Sequence, residues 1–133
     1  MWYSALDYLK KQLETALEVK TFIGIKRPPN TKDYPFIALT PVEFYETEDK
    51  KIMKVSMPFG IVSKSNDPAE GTHELLNFLS KIEKILDNNQ RFEHFQIEEE
   101  KFSIHDLNIR EPYYSMEFIF LISAPKLPPA LEE

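Results

Sequence analysis

The chain has 133 residues, a formal net charge of −6 and no cysteine. That length builds one domain with a real core and hardly two. The missing cysteines exclude a disulfide framework, thiolate catalysis and thiolate metal sites, and fit a reducing cytoplasm. Duplex nucleic acid is gripped through its phosphates by clustered Lys and Arg. Here the arginines are Arg27, Arg91 and Arg110 and the lysines are scattered, so specific nucleic-acid binding is not expected.

Residues 2 to about 19 read as an amphipathic helix. Trp2, Leu6, Leu9, Leu13, Ala16 and Leu17 recur at spacings of three and four, while Lys10, Lys11, Glu14 and Glu18 take the other face. Asp7 and Lys10 interrupt any secretory apolar core, and no apolar run approaches the roughly 20 residues of a membrane span. No strong stop signal ends the helix. An extended "VKTFIGI" takes over, followed by "KRPPNTKDYP", where Pro28 and Pro29 have no N–H for a central strand and Asn30 to Asp33 carry turn chemistry.

A long bent strand is expected from about 35 to 46, interrupted at Pro41, with Val42 and Phe44 on one face and Glu43 and Tyr45 on the other. "ETEDKK" reads as a charged hairpin connection. In "IMKVSMPFGIVSK", Met53, Val55, Met57, Phe59 and Ile61 alternate with Lys54, Ser56 and Pro58, the pattern of a half-buried strand. Pro58 suggests an edge or a bulge.

The second helix is the most legible element. Asp67 is a good N-cap, Pro68 fits the first helical position and Glu70 falls at capping-box spacing. Leu75, Leu79, Ile82 and Leu86 form its stripe, widened by Phe78 and Ile85. Asn88 and Asn89 are read as a left-handed C-terminus. From 92 the chain turns extended, with a break expected near Glu98 to Glu100. In "PYYSMEFIFLISAP", Tyr114, Met116, Phe118, Phe120 and Ile122 line one face, and Ile119 and Leu121 make the other apolar, which marks a central strand. "KLPPALEE" is expected to stay outside the packed core.

The expected fold is therefore α+β in the order α-β-β-β-α-β-β, a largely antiparallel five-stranded sheet with both helices on one face. Residues 1–124 form one domain and 125–133 a proline-rich acidic tail.

No catalytic motif is present. His94 and His105 would approach each other only if 92–99 and 102–109 formed a hairpin, and the i, i+3 or i, i+4 ligand spacings are missing. The three glutamates 98–100 alternate faces on a strand, so a solvated edge explains them better than acid–base chemistry. With three glycines there is no phosphate-cradling loop. Neither a catalytic residue, a metal site nor a cofactor is expected. Two stretches suit protein contact. One is the stiff loop with Arg27, Pro28, Pro29 and Tyr34, since proline lowers the entropy lost on docking and Arg and Tyr are enriched at interface hot spots. The other is the hairpin tip with Glu48, Asp49, Lys50 and Lys51, whose mixed charge suits head-to-tail pairing.

The order of elements, the strand opening "YPFIALTP", the strand "KVSMPFGIVSKS" and the helix "GTHELLNFLSKIEKIL" resemble the tail terminator and tail-completion proteins of long-tailed bacteriophages and prophages, over about residues 3 to 124. The resemblance implies a structural protein, made in the cytoplasm of a bacterial host and carried in the virion tail. Its partners would be further copies of itself in a hexameric ring, the tail tube protein and the head connector, with no membrane. DNA would pass through the lumen, which an acidic chain suits. The alternative reading is a monomeric or dimeric adaptor or immunity-type module. An enzyme with an unrecognised His or carboxylate site is a third.

Overall fold

The computed structural model describes residues 2–24 and 31–126, with the backbone alone for residues 31 and 99–110. Helix α1 is Trp2–Leu17 and helix α2 Pro68–Asn88. The strands are β1 (Lys20–Ile23), β2 (Phe36–Glu46), β3 (Lys50–Val62), β4 (Arg91–Phe92), β5 (Phe95–Arg110) and β6 (Tyr113–Pro125). They form one sheet in the order β1-β2-β3-β6-β5-β4. The fold is α+β, but the sheet has six strands rather than five and is mixed. β1 lies parallel to β2, and the other pairings are antiparallel.

The additional strand arises at Glu93. Its φ of 53° is left-handed, uncommon for a residue with a Cβ, and it turns the chain within the two residues between Phe92 and Phe95, which pair across the turn. The sequence has no Asn-Gly or Asp-Gly there to announce a tight hairpin. Glu18 does the same work after α1 with φ 55°. The Glu14 carboxylate then accepts from the Thr21 N–H at 3.2 Å. Glu14 is thus half-buried at the helix end, and Ala5, not Ala16, completes the buried stripe of Leu6, Leu9 and Leu13.

Asp67 caps α2 through the Ala69 N–H at 3.0 Å. Its own N–H goes to the Ser65 hydroxyl at 3.0 Å, the role that capping-box spacing reserves for Glu70. The other end departs from expectation too. Asn89 has φ −122°, not a left-handed value. It ends the helix with its side chain, which donates to the Ile85 carbonyl at 2.8 Å and accepts from the Tyr8 hydroxyl at 2.7 Å. Tyr8 stacks on Phe92 with centroids 4.4 Å apart, so α1, α2 and β4 meet there.

Both helices cover one face of the sheet. Leu75, Leu79, Ile82 and Leu86 of α2 and the α1 stripe share a core with Met53, Val55, Met57, Phe59 and Ile61 of β3 and Tyr114, Met116, Phe118, Phe120 and Ile122 of β6. The antiparallel register places Met57 beside Phe118 and Val55 beside Phe120, so the two alternating stripes merge into one surface. Burying the four α2 residues alone stabilises the fold by roughly 6–12 kcal/mol before chain entropy. β6 lies between β3 and β5, as its two apolar faces require.

Two strands carry irregularities. β2 has a bulge between Pro41 and Glu43, where the sequence expects a bend. Pro58, however, sits in the interior strand β3. The β2–β3 register runs from Ile37↔Phe59 to Thr40↔Ser56 and skips the residue that has no N–H to give. The region 92–109 is not a hairpin of two strands at its centre. It is one long β5 whose register against β6 shifts between Glu98 and Ser103, beside the three glutamates.

Candidate functional site

The short length of β1 decides what the fold exposes. β1 pairs with Phe36 to Leu39 of β2, and the last bond along that edge runs from the Gly24 N–H to the Leu39 carbonyl at 2.9 Å. β2 continues to Glu46. From Thr40 onward its outer edge carries no strand among the described residues. Native sheets blunt such edges with charge, proline or a covering element. This edge has a proline, Pro41, a bulge up to Glu43 and the charged Glu43 and Glu46, but it also bears Val42 and Phe44, 54% and 56% exposed, and Tyr45 at 40%. Trp2 stands edge-on to Phe44, with centroids 5.8 Å apart, and Tyr3 beside it is 65% exposed. Trp2, Phe44, Tyr45, Glu46, Lys51 and Ile52 line a shallow groove of about 200 Å³.

The far side of the sheet has a second open edge. β4 covers only Phe95 and Gln96 of β5, extended by a bond from the Ile97 N–H to the Gln90 carbonyl at 2.8 Å. Beyond Ile97 the outer edge of β5 has no strand partner among the described residues. One sheet thus ends in two long and unlike edges.

The hairpin tip is fastened to the body. Its turn closes with the Thr47 N–H on the Lys50 carbonyl at 2.9 Å, and the Lys126 N–H donates to the Asp49 carbonyl at 3.0 Å. Lys126 pairs with Glu46 at 3.2 Å and Lys50 with Glu98 at 3.1 Å. The Ser123 hydroxyl also donates to Glu98 at 2.9 Å. Burial pushes the Glu98 carboxyl up. The hydrogen bonds from Ser123 and Lys50 and the Lys50 charge outweigh it and hold the group below the usual carboxylate range.

The residues expected at the interface divide accordingly. Arg27, Pro28 and Pro29 lie outside the described residues. Tyr34 has a packing role within the chain. It is half-buried between Phe36 at 4.9 Å and Tyr113 at 5.1 Å, over Gly60, where any Cβ would collide with the Tyr34 ring. Glu48, Asp49 and Lys51 are exposed, and Lys50 belongs to the Glu98 network. Tyr34 and the tip lie at opposite ends of β2, roughly 35 Å apart, so they do not form one site. The sequence reading passes over Val42, Phe44 and Tyr45 as interface residues. In "VEFYE", Val42 and Phe44 share one strand face and Tyr45 joins Glu43 on the other, but it is the four-residue β1 that leaves this stretch without a neighbouring strand among the described residues.

A cleft of about 310 Å³ beside the tip is lined by Asp49, Lys50, Arg91, Glu93, His94, Phe95, Gln96, Ser123 and Pro125. His94 occupies the β4–β5 turn against Phe95, centroids 4.1 Å apart, not a strand facing His105. His73 is exposed on α2. Among the described residues no group of three His, Asp or Glu is placed to hold a metal ion, and no helix is long and apolar enough to cross a membrane.

No protein-family model matches the sequence, and no curated protein matches it.

Proposed function

We propose that this chain is an architectural protein that closes into a ring of about six copies, the arrangement of a tail terminator that ends a phage tail tube and meets the head connector. The observation that carries the reading is the pair of unlike open edges on one sheet. Joining the β2 edge of one copy to the β5 edge of the next would let two strands pair along their backbones. Such an interface is heterologous, and repeated rotation closes it into a ring. Val42, Phe44 and Tyr45 supply the apolar contact beside the backbone pairing, and the net acidic chain suits a lumen that passes DNA without holding it.

The test is light scattering across a wide concentration series, with negative-stain imaging of the most concentrated sample. A closed ring of about six copies is expected. Val42→Lys, an exposed edge charge that should change folding by less than about 0.5 kcal/mol, should abolish it. A stable dimer that survives Val42→Lys would favour a protein-binding adaptor instead. A chain that stays monomeric and also fails to cap growing tail tubes refutes the ring.

A further inference from the structure

We infer that the cleft between the β4–β5 turn and the β3 tip binds a small zwitterion, a molecule of dipeptide size with a carboxylate at one end and an ammonium group at the other. This site is independent of the ring.

Strand register builds the floor. Phe92, Phe95 and Ile122 belong to the core under the helices, so the adjacent Arg91, Gln96 and Ser123 fall on the opposite face of the sheet. Arg91 pairs with Gln96 and Gln96 with Ser123, which sets them in one row across β4, β5 and β6. Lys50 and Pro125 pair one step further along β3 and β6 and continue the same face. The result is a cleft of about 310 Å³, the size at which small-ligand sites begin. Ser123 at its base is 3% exposed. Its hydroxyl and the Lys50 ammonium are both tied to Glu98, so that side of the floor is fixed before a ligand arrives.

The charges decide the ligand. Arg91 and Glu93 stand on the β4 side of the cleft and Asp49 on the tip side, yet none of them pairs with another. The Arg91 guanidinium, the Glu93 carboxylate and the Gln96 side-chain amide have no hydrogen-bond or ion-pair partner among the described residues. The Asp49 carboxylate accepts a 3.3 Å bond from the Thr47 hydroxyl and has acceptor capacity to spare. The strands that carry Arg91 and Lys50 are three inter-strand spacings apart, roughly 14 Å. That width keeps Arg91 from Asp49 and lets a short molecule bridge them. A carboxylate fits the Arg91 guanidinium through two parallel N–H···O bonds, with the Gln96 amide as a further donor, and an ammonium group at the other end meets Asp49. The acids at the rim repel phosphate and other multiply charged anions, which restricts the site to ligands carrying both signs.

The test titrates glycylglycine into the full-length chain, followed by amide NMR at concentrations where scattering reads monomer. Acetate, ethylammonium and inorganic phosphate are the controls. Millimolar binding of glycylglycine is expected, with shifts centred on Ser123 and on the backbone and side-chain amides of Gln96, and binding of each control roughly ten-fold weaker or more. Arg91 and Asp49 are exposed, so Arg91→Gln and Asp49→Asn should both keep the parent spectrum away from the cleft. Arg91→Gln should weaken glycylglycine by roughly ten-fold or more. Asp49→Asn should weaken it too but tighten acetate, because a repelling charge is gone. Absence of shifts at the cleft overturns the inference. So does glycylglycine binding that Arg91→Gln leaves unchanged, because the carboxylate is then not read. So does acetate or phosphate binding as tight as that of the dipeptide, because the cleft then holds any anion.

Discussion

Gly71→Ala sets local propensity against tertiary contact. Gly71 lies on the fourth residue of α2 and is buried. By helix propensity alone, alanine in place of glycine should stabilise the fold by about 1 kcal/mol. The structure predicts the opposite sign. A Cβ built at Gly71 would run into the Cζ, hydroxyl and Cε1 atoms of Tyr114. That ring is fully buried and stands on the interior strand β6, so it has no solvent to swing into. Overpacking a filled core costs typically 1–3 kcal/mol, which leaves a net loss of up to roughly 2 kcal/mol after the propensity gain of about 1 kcal/mol. The assay is urea unfolding followed by circular dichroism, in a double-mutant cycle with Tyr114→Leu. Shortening the ring should make Gly71→Ala neutral or stabilising in that background. A parent chain made more stable by Gly71→Ala, or a cycle with no coupling, would refute the argument that the close approach of α2 to β6 selects glycine here.

The Glu98 network should appear in acid unfolding. Its folded pKa is depressed, so its contribution is present above the unfolded value and is lost as pH falls through the folded one. The stability gap between the parent and Glu98→Gln should be full at neutral pH and shrink through and below the carboxylate range; a gap of constant size would remove Glu98 from the account. The two tip lysines should separate in charge reversal. Lys50→Glu places like charges beside Glu98 and should cost on the order of 1 kcal/mol in the monomer, whereas Lys51→Glu should stay within about 0.5 kcal/mol. An assembly defect in Lys51→Glu therefore reports the interface, and intact assembly in that variant removes the tip from it.

The sequence by itself determined the elements whose cause is local. The start of α2 follows from Asp67 and Pro68, and the two apolar stripes of β3 and β6 follow from period-two alternation. The bend at Pro41 and the charged hairpin were legible for the same reason. What tertiary structure decided was pairing. Glu18 and Glu93 adopt left-handed backbone that no local signal marks, which produced an end to α1 and an unforeseen β4. Tyr34 packs against the nearby Phe36 but also against Tyr113 and over Gly60, which are remote from it in sequence. The candidate interface arises in the same way. The sequence shows that "VEFYE" is extended, with Val42 and Phe44 on one face, but an edge exists only where a neighbour stops. Among the described residues the outer half of β2 has no strand partner because β1, a parallel partner from another part of the chain, ends at Ile23.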